Sequence, residues 1–183
     1  MLSPTHRRQL LTLARQSIDA ALAGRTVELD SSQYDDVLKT PAGAFVTLTD
    51  HGELRGCIGS IQPVAPLYQA VSMSAINAAF RDPRFHPLTP AEWPEIELEI
   101  SVMGPIERVS DLDQIVVGRD GLIVTRGRYA GLLLPQVASE RGWDRETFLR
   151  QTCVKAGLPP DVWRSEDCRI EKFAAEVFGD ANN

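Results

Sequence analysis

The chain has 183 residues, enough for one sizeable hydrophobic core or for two small lobes that share one. Its hydrophobic fraction of 43% and charged fraction of 24% are those of a globular protein, which excludes a fibrous or disordered chain. The net charge of −6 argues against a nucleic-acid partner, because duplex-binding proteins carry a basic face that neutralises phosphates.

The cysteines and the short apolar runs indicate a compartment. Cys57, Cys153 and Cys168 are an odd number of widely spaced cysteines, which fits free thiols in a reducing compartment better than a disulfide framework. No apolar run approaches the ~20 residues that a membrane span requires. Polar residues interrupt the first helical segment, where a signal peptide would be continuously apolar. We therefore expect a cytoplasmic protein with no membrane partner.

Two segments in the first half have the apolar spacing of helices. Ser3 followed by Pro4 is a helix start, an N-cap with proline at the first helical position, and Gly24 provides the stop. Pro66 opens a second helix that runs to about Phe80. The many small residues of this second helix indicate close packing against a sheet or another backbone.

Three segments alternate with the period of strands. Residues 44–49 and 54–58 predict two strands, and His51-Gly52 between them predicts the two-residue loop of an antiparallel hairpin. A third strand over residues 95–102 places its apolar residues on one face and three alternating glutamates on the other. The apolar face is expected to be core, and the acidic face is expected to be solvated or to line something cationic.

The second half contains further turns and one clear helix. Residues 116–124 predict a hairpin, and a second turn at 126–129 leads into an apolar run. A capping aspartate begins a helix over residues 144–156. The segment 168–178 fits both a strand and a helix, and a strand is favoured.

Antiparallel hairpins interspersed with helices predict an α+β fold, with antiparallel sheets flanked by helices and without regular βαβ alternation. The sequence predicts a single domain over residues 1–183. The pattern of residues changes after Gly104, and we expect a smaller lobe to form around residues 104–135.

Several common site motifs do not occur in this sequence. There is no CxxC, HxxH or HExxH motif, and the three histidines His6, His51 and His86 are far from the pattern of a zinc site. Walker, GxGxxG and GxSxG motifs are also missing. The sequence therefore predicts neither a metal site nor a cofactor.

Cys57 is the thiol with the most promising surroundings. Two residues before it stands Arg55, so in a regular strand both side chains would point to the same face, and a nearby guanidinium favours the nucleophilic thiolate. Gly56 and Gly59 remove side chains on either side, which would let a substrate or a second backbone approach. The alternative is that Cys57 is a small buried apolar residue in a strand that contains two glycines.

The loop over residues 81–87 concentrates polar groups between two prolines. Asp82, Arg84 and His86 could hold an anion, or His86 could act as a general base. The structural alternative is a loop anchored by Phe85, in which Asp82 caps the turn and pairs with an arginine. Farther along the chain, Gln136 is the one polar residue in a run of packing residues.

Five segments together resemble the AMMECR-one domain family, also called AmmeMemoRadiSam system protein A. The resemblance spans essentially the whole chain, in order and at sensible spacing. The segments are LRGCIG at 54–59, AFRDPRF at 79–85, LEISV at 98–102, GLLLPQVA at 131–138 and KAGL at 155–158.

The resemblance implies an α+β fold with two lobes of unequal size and a cleft between them. It also implies association with a Memo-like protein and a radical SAM protein, without an established activity. His86 stands where the family pattern suggests a proline, which weakens its role as a base. The candidate catalytic residues are Cys57 and Arg55, and the candidate substrate-binding residues are Gly56, Gly59, Asp82, Arg84, Phe85 and Gln136.

Two functions from different classes follow. In the first, the chain is a component of a Memo-like and radical SAM system with a thiol site at Cys57 in the cleft. In the second, it is a non-catalytic adaptor in which the LRGCIG hairpin is purely structural. A variant of the adaptor hypothesis uses the acidic strand face, with Glu97 and Glu99, as the contact surface.

Overall fold

A computed structural model describes residues 2–180 and confirms the α+β fold, with helices flanking antiparallel strands. The helices are α1 (Pro4–Leu22), α2 (Asp36–Lys39), α3 (Leu67–Phe80), α4 (Pro135–Glu140) and α5 (Arg145–Lys155). The strands are β1 (Ala44–Asp50), β2 (Glu53–Ser60), β3 (Ile96–Met103), β4 (Glu107–Arg108), β5 (Asp120–Arg126), β6 (Tyr129–Leu133) and β7 (Arg169–Gly179). No helix within this described part is long and apolar enough to cross a membrane.

The chain divides into two compact units of unequal size. The first contains the residues up to Met103 together with the C-terminal residues from Glu176 onward. The second consists of Gly104–Ala175. Strand β7 contributes its beginning to the second unit and its end to the first.

The first unit is built on β1, which pairs antiparallel with β2 on one side and with β3 on the other. The strands place alternate apolar residues in one core, and Val46, Leu48 and Ile100 are fully buried there. Helices α1 and α3 cover this face of the strands. The opposite face of these three strands is therefore left for polar side chains.

The predicted helix signals are confirmed. Ser3 caps α1 by accepting a hydrogen bond from the backbone N–H of His6, and His6 completes the box through its own side chain. Pro66 precedes α3, whose small residues allow the close packing that was expected. The oxygen of Ala78 lies so near β2 that a Cβ on Gly56 would be 2.2 Å from it.

The β1–β2 hairpin has the two-residue turn that was predicted. Asp50 pairs with Glu53, and His51 and Gly52 both have positive φ angles, 49° and 83°, as a tight hairpin turn requires. The pairing register shifts between Leu48 and Thr49, so β2 contains a bulge.

The second unit contains a hairpin of β5 and β6, with β7 paired to the other side of β5 and β4 paired to β7. Its own core includes Phe148 and Leu149 of the predicted helix α5, together with Leu122 of β5. The C-terminal segment is a strand, as favoured from its sequence.

One prediction for this unit was wrong, and one helix was not predicted. Residues 116–119 form a turn and not a strand, because Asp120 accepts a hydrogen bond from the N–H of Val116 and folds the chain back. Helix α4 was not predicted from the sequence, and Pro135 occupies its first position.

Candidate functional site

The bulge in β2 separates Arg55 from Cys57. Leu48 pairs with Gly56 and Thr49 pairs with Leu54, so Arg55 is the extra residue with no partner across the ladder. The expectation that Arg55 and Cys57 share a face assumed an uninterrupted alternation, and that assumption is wrong. The Arg55 guanidinium instead binds residues of the 86–92 segment.

Arg55 is buried, with only 8% of its surface exposed. Its Nε donates to Glu92 Oε1 at 3.0 Å, and its Nη2 donates to the carbonyl oxygen of His86 at 3.0 Å. The hydrogen bond from Arg55, followed by those from Thr89, lowers the pKa of Glu92 to about 2. Arg55 therefore fastens the hairpin to the following loop, and His86 supplies a carbonyl to that attachment.

Cys57 is half-buried, and its backbone is held by side chains from the 82–84 loop. Its N–H donates to Asp82 Oδ2 at 2.9 Å, and its carbonyl oxygen accepts from Arg84 Nη2 at 3.4 Å. Together these two side chains occupy the backbone groups that a neighbouring strand would otherwise use, which is a recognised protection of strand edges.

Asp82 is the buried centre of this contact, with 4% of its surface exposed. Arg84 donates to it three times, from Nε at 2.9 Å, from Nη2 at 2.7 Å and from its backbone N–H at 3.1 Å. The pKa of Asp82 therefore lies well below the usual range of an aspartate, chiefly because of the Arg84 side chain. Asp82 therefore caps the turn and pairs with an arginine, as the structural alternative for this loop expected.

Arg84 is the guanidinium beside Cys57. The hydrogen bond to Asp82 raises the pKa of Arg84, and the charge of a Cys57 thiolate acts in the same direction. The Arg84 side chain is about half exposed, at 53%. It therefore places a positive charge at the backbone of Cys57.

The sulfur of Cys57 has a polar neighbour on β1. Thr47 lies directly opposite Cys57 in the pairing register, and its hydroxyl donates to the Cys57 sulfur at 3.3 Å. Hydrogen-bond donors and positive charge both favour the thiolate form of a cysteine. Thr47 was not predicted as a site residue, although its place between buried Val46 and Leu48 already puts it on the polar face.

Phe85 joins the two arginines. The Arg55 Cζ atom lies 5.8 Å from the Phe85 ring centroid, and the Arg84 Cζ atom lies 5.4 Å from it. Both distances are within the range of cation–π interactions. The Phe85 ring therefore contacts the guanidinium groups of both arginines.

The two candidate glycines are surrounded by protein. A Cβ on Gly56 would meet the Ala78 backbone, so the second backbone anticipated there is that of α3. A Cβ on Gly59 would lie 2.2 Å from the oxygen of Ala44 and 2.6 Å from the ring of Phe45. Gly59 also contributes to the wall of a cavity of about 110 Å³, which includes Met73.

Gln136 belongs to the second unit, where it is the second residue of α4. Its Oε1 atom is buried and has no hydrogen-bond partner among residues 2–180. The other two thiols also lie in this unit. Burial raises the pKa of the Cys153 thiol, and burial with the charge of Asp167 raises that of Cys168.

Within the described residues, no group of three or more histidine, cysteine, aspartate and glutamate side chains has the arrangement of a metal site. What the first unit does bring together is a half-buried thiol, a hydroxyl that donates to it and an arginine at its backbone. The candidate site of the first unit consists of these three groups.

Comparisons with known proteins agree with the segments quoted from the sequence. The family model AMMECR1 matches residues 11–178. A protein of Methanothermobacter thermautotrophicus is 45% identical, with 97% of this chain and 95% of that protein covered. A protein of Pyrococcus furiosus is 47% identical over 92% of this chain and 85% of its own length. The crystal structure of an uncharacterised protein, PH0010 from Pyrococcus horikoshii, is similar with a TM-score of 0.86 and 43% identity, and covers 94% of this chain and 90% of that one.

Proposed function

The chain belongs to the AMMECR1 family, and on that premise we propose that it is a thiol-dependent component of an enzyme system, with Cys57 as its reactive group. The observation that carries this proposal is the hydrogen bond from the Thr47 hydroxyl to the half-buried Cys57 sulfur. A sulfur that accepts a hydrogen bond is better stabilised as the thiolate, which is the nucleophilic form.

The charges around Cys57 support the same role. Arg84 lies at the Cys57 backbone, and its ion pair with Asp82 keeps it in place. Asp82, the buried member of that pair, accepts from the Cys57 N–H, so the backbone of Cys57 has a fixed position relative to both groups. A fixed thiol beside a cation is the usual setting of a nucleophilic cysteine.

The identity of the partners is a proposal from the family resemblance. In this proposal the chain works in the cytoplasm with a Memo-like protein and a radical SAM protein, and Cys57 acts on a small molecule or on a protein group that one of them supplies. In this proposal the nucleophile belongs to this chain.

Substoichiometric alkylation tests the proposal. Native protein is treated with less than one equivalent of iodoacetamide at about pH 7.5, where a favoured thiolate reacts ahead of ordinary thiols, and the modified peptides are quantified by mass spectrometry. We expect the carbamidomethyl group predominantly on Cys57, with little on Cys153 or Cys168. A native protein in which Cys57 stays unmodified while Cys168 reacts would overturn the proposal.

The alternative function is a non-catalytic adaptor, and the packing of the glycines favours it. A Cβ on Gly56 or on Gly59 would collide with protein backbone, so packing alone explains both glycines. The Asp82 carboxylate is likewise occupied by hydrogen bonds within the protein. In this alternative the hairpin maintains a surface for a partner, such as the acidic strand with Glu97.

Two variants separate these functions. The adaptor predicts that Cys57→Ala binds purified Memo-like or radical SAM protein in calorimetry as the wild type does. It also predicts that charge reversal at Glu97 weakens binding. The thiol-dependent function predicts that Cys57→Ala abolishes whatever turnover the reconstituted mixture supports, while binding persists.

A further inference from the structure

Three side chains that can exchange protons occupy one row across the first unit's strands. Thr47 on β1 lies opposite Cys57 on β2 and also opposite Glu99 on β3. Residues directly opposite each other in antiparallel strands have Cβ atoms about 5 Å apart, on the same face of the sheet. A thiol, a hydroxyl and a carboxylate therefore stand side by side, with the hydroxyl in the middle.

One contact in this row is already made. The Thr47 hydroxyl donates to the Cys57 sulfur at 3.3 Å, so the hydroxyl points along the row toward β2. Its oxygen keeps lone pairs that can accept a hydrogen bond from the other side. Glu99 is half-buried on that side and has interactions of its own, so it is not a freely solvated carboxylate.

We propose that Cys57 and Glu99 share one proton through the Thr47 hydroxyl, so that Glu99 is the group that receives the thiol proton. This inference rests on the proposed function of Cys57 and adds the base that it lacked. Thr47 is the relay, and Glu99 acts through it as a positioning and proton-holding residue.

The step conserves protons and charge. The Cys57 thiol proton passes to the Thr47 oxygen while the Thr47 hydroxyl proton passes to the Glu99 carboxylate. The products are a thiolate, an unchanged threonine and a carboxylic acid. In the product state the acid donates to the Thr47 oxygen, and the Thr47 hydroxyl donates to the thiolate. The contact between the Thr47 hydroxyl and the Cys57 sulfur, at 3.3 Å, is the one through which the proton leaves the thiol.

The neighbouring charges determine what else could affect such a titration. Arg84 and Asp82 flank Cys57 from the loop. On β3 itself, Glu97 is two residues away from Glu99 and is exposed. Beyond β3, the Asp180 carboxylate accepts from the Leu98 N–H and is paired with Arg15.

Asp50 and His51 lie near the hairpin turn at the other end of β1, with 3.7 Å between their side chains. Asp50 is opposite Glu53 and Ile96 in the pairing register, so this end of the strand is three residues from Thr47. The charges of Asp50 and His51 can influence the titration of Cys57 and Glu99, but neither residue lies opposite Thr47.

Glu97 provides a matched control. It is on the same strand and the same face as Glu99, but it lies opposite Thr49, whose partner across β2 is Leu54. Removing the charge of Glu97 changes the electrostatic field near Cys57 without touching the relay. Glu97→Gln and Glu99→Gln each remove one negative charge, but only Glu99→Gln interrupts the proposed proton pathway.

The experiment is the pH profile of Cys57 alkylation by iodoacetamide, with the modified peptide quantified at each pH. Two groups that share a proton titrate as a pair in two steps, so the profile runs from about pH 4.5 to about pH 9.5 to include both. The wild type should therefore show a low-pH shoulder of reactivity, followed by a second rise. Glu99→Gln should show one sigmoid without the shoulder, whereas Glu97→Gln should keep both phases.

Threonine variants test the relay itself. Thr47→Ser keeps a hydroxyl and should keep the shoulder, whereas Thr47→Val should lose it. Glu99→Asp retains a carboxylate in case the glutamine variant does not fold, and it should keep two phases. Circular dichroism of each variant identifies any that are unfolded.

The outcomes separate this inference from the function on which it rests. A wild-type profile with a single phase overturns the shared proton and leaves a reactive Cys57 standing. An unchanged shoulder in Glu99→Gln does the same. A Cys57 that does not react at any pH in the native protein overturns both.

Discussion

The Thr47 hydroxyl donates a hydrogen bond to the Cys57 sulfur at 3.3 Å across the β1–β2 ladder. Both residues stand on the face of the strands that α1 and α3 do not cover, so the bond lies outside the hydrophobic core of the first unit. The strand pairing fixes this relationship, because the two residues are direct partners in the register. The reactivity of Cys57 should depend on it.

Replacing Thr47 by valine should slow the reaction of Cys57. The change keeps the β-branched shape and removes the donor, so the thiolate loses one hydrogen bond worth about 1 kcal/mol. We expect the alkylation rate at about pH 7.5 to fall about fivefold. Thr47→Ser should retain most of the rate, and equal rates for Val and Ser would contradict the role of the hydroxyl.

Replacing Arg84 by alanine should also slow the reaction, because a cation beside the sulfur is lost. The expected decrease is about threefold to tenfold at low ionic strength, and it should shrink when salt screens the exposed guanidinium. Arg81→Ala, at an exposed position of the same loop, is the matched control. A similar decrease in both variants would show that a general loss of positive charge, and not the position of Arg84, is responsible.

Replacing Gly56 by alanine should destabilise the first unit severely. The new Cβ would be 2.2 Å from the backbone oxygen of Ala78, and backbone atoms in a packed helix cannot move aside easily. We expect a loss of about 3 kcal/mol in the free energy of unfolding, measured by urea denaturation.

Gly52→Ala is the control for this prediction. Gly52 has a positive φ of 83°, but a Cβ added there would have no other atom within 4 Å, so only backbone strain of about 1 kcal/mol is expected. Comparable losses for the two variants would contradict the close approach of α3 to β2.

The Arg55–Glu92 pair should make stability depend on acid pH. The pKa of Glu92 is lowered to about 2 from 4.5, so the pair stabilises the fold fully above about pH 4.5 and this contribution is lost as the pH falls toward 2. Since Glu92 is partly exposed, we expect a loss on the order of 1 kcal/mol between about pH 5 and about pH 2.5.

Urea denaturation at several pH values checks this expectation. Glu92→Gln should lose less stability than the wild type over the same interval, because glutamine does not titrate. Glu95→Gln removes a carboxylate at an exposed position three residues along and serves as the control. A wild type and a Glu92→Gln variant with parallel pH profiles would argue against the pair.

The sequence predicted the regular elements better than the site. The helix at Ser3-Pro4 and the hairpin turn at His51-Gly52 have local signals, an N-cap and a two-residue turn, which fix their positions. The bulge at Arg55 has no such signal, because one extra residue in a strand leaves the apolar pattern almost unchanged. The supposed pairing of Arg55 with Cys57 failed for that reason.

The loop residues illustrate the same limit. The capping of a turn by Asp82 and its pairing with an arginine could be anticipated, since both are local. The contact of Asp82 with the Cys57 N–H spans 25 positions in the chain and depends on how the loop returns to β2. Thr47 was missed because a lone threonine in a strand is ordinary, and only the register reveals its partner.

The most direct test of the central claim compares the native and unfolded rates of Cys57 alkylation. Iodoacetamide is added at about pH 6.5, where an ordinary thiol is almost wholly protonated, to native protein and to protein in concentrated urea. The Cys57 peptide is quantified over time by mass spectrometry. If Thr47 and Arg84 stabilise the thiolate, native Cys57 reacts several-fold faster than unfolded Cys57. A native rate equal to or below the unfolded rate would contradict the account.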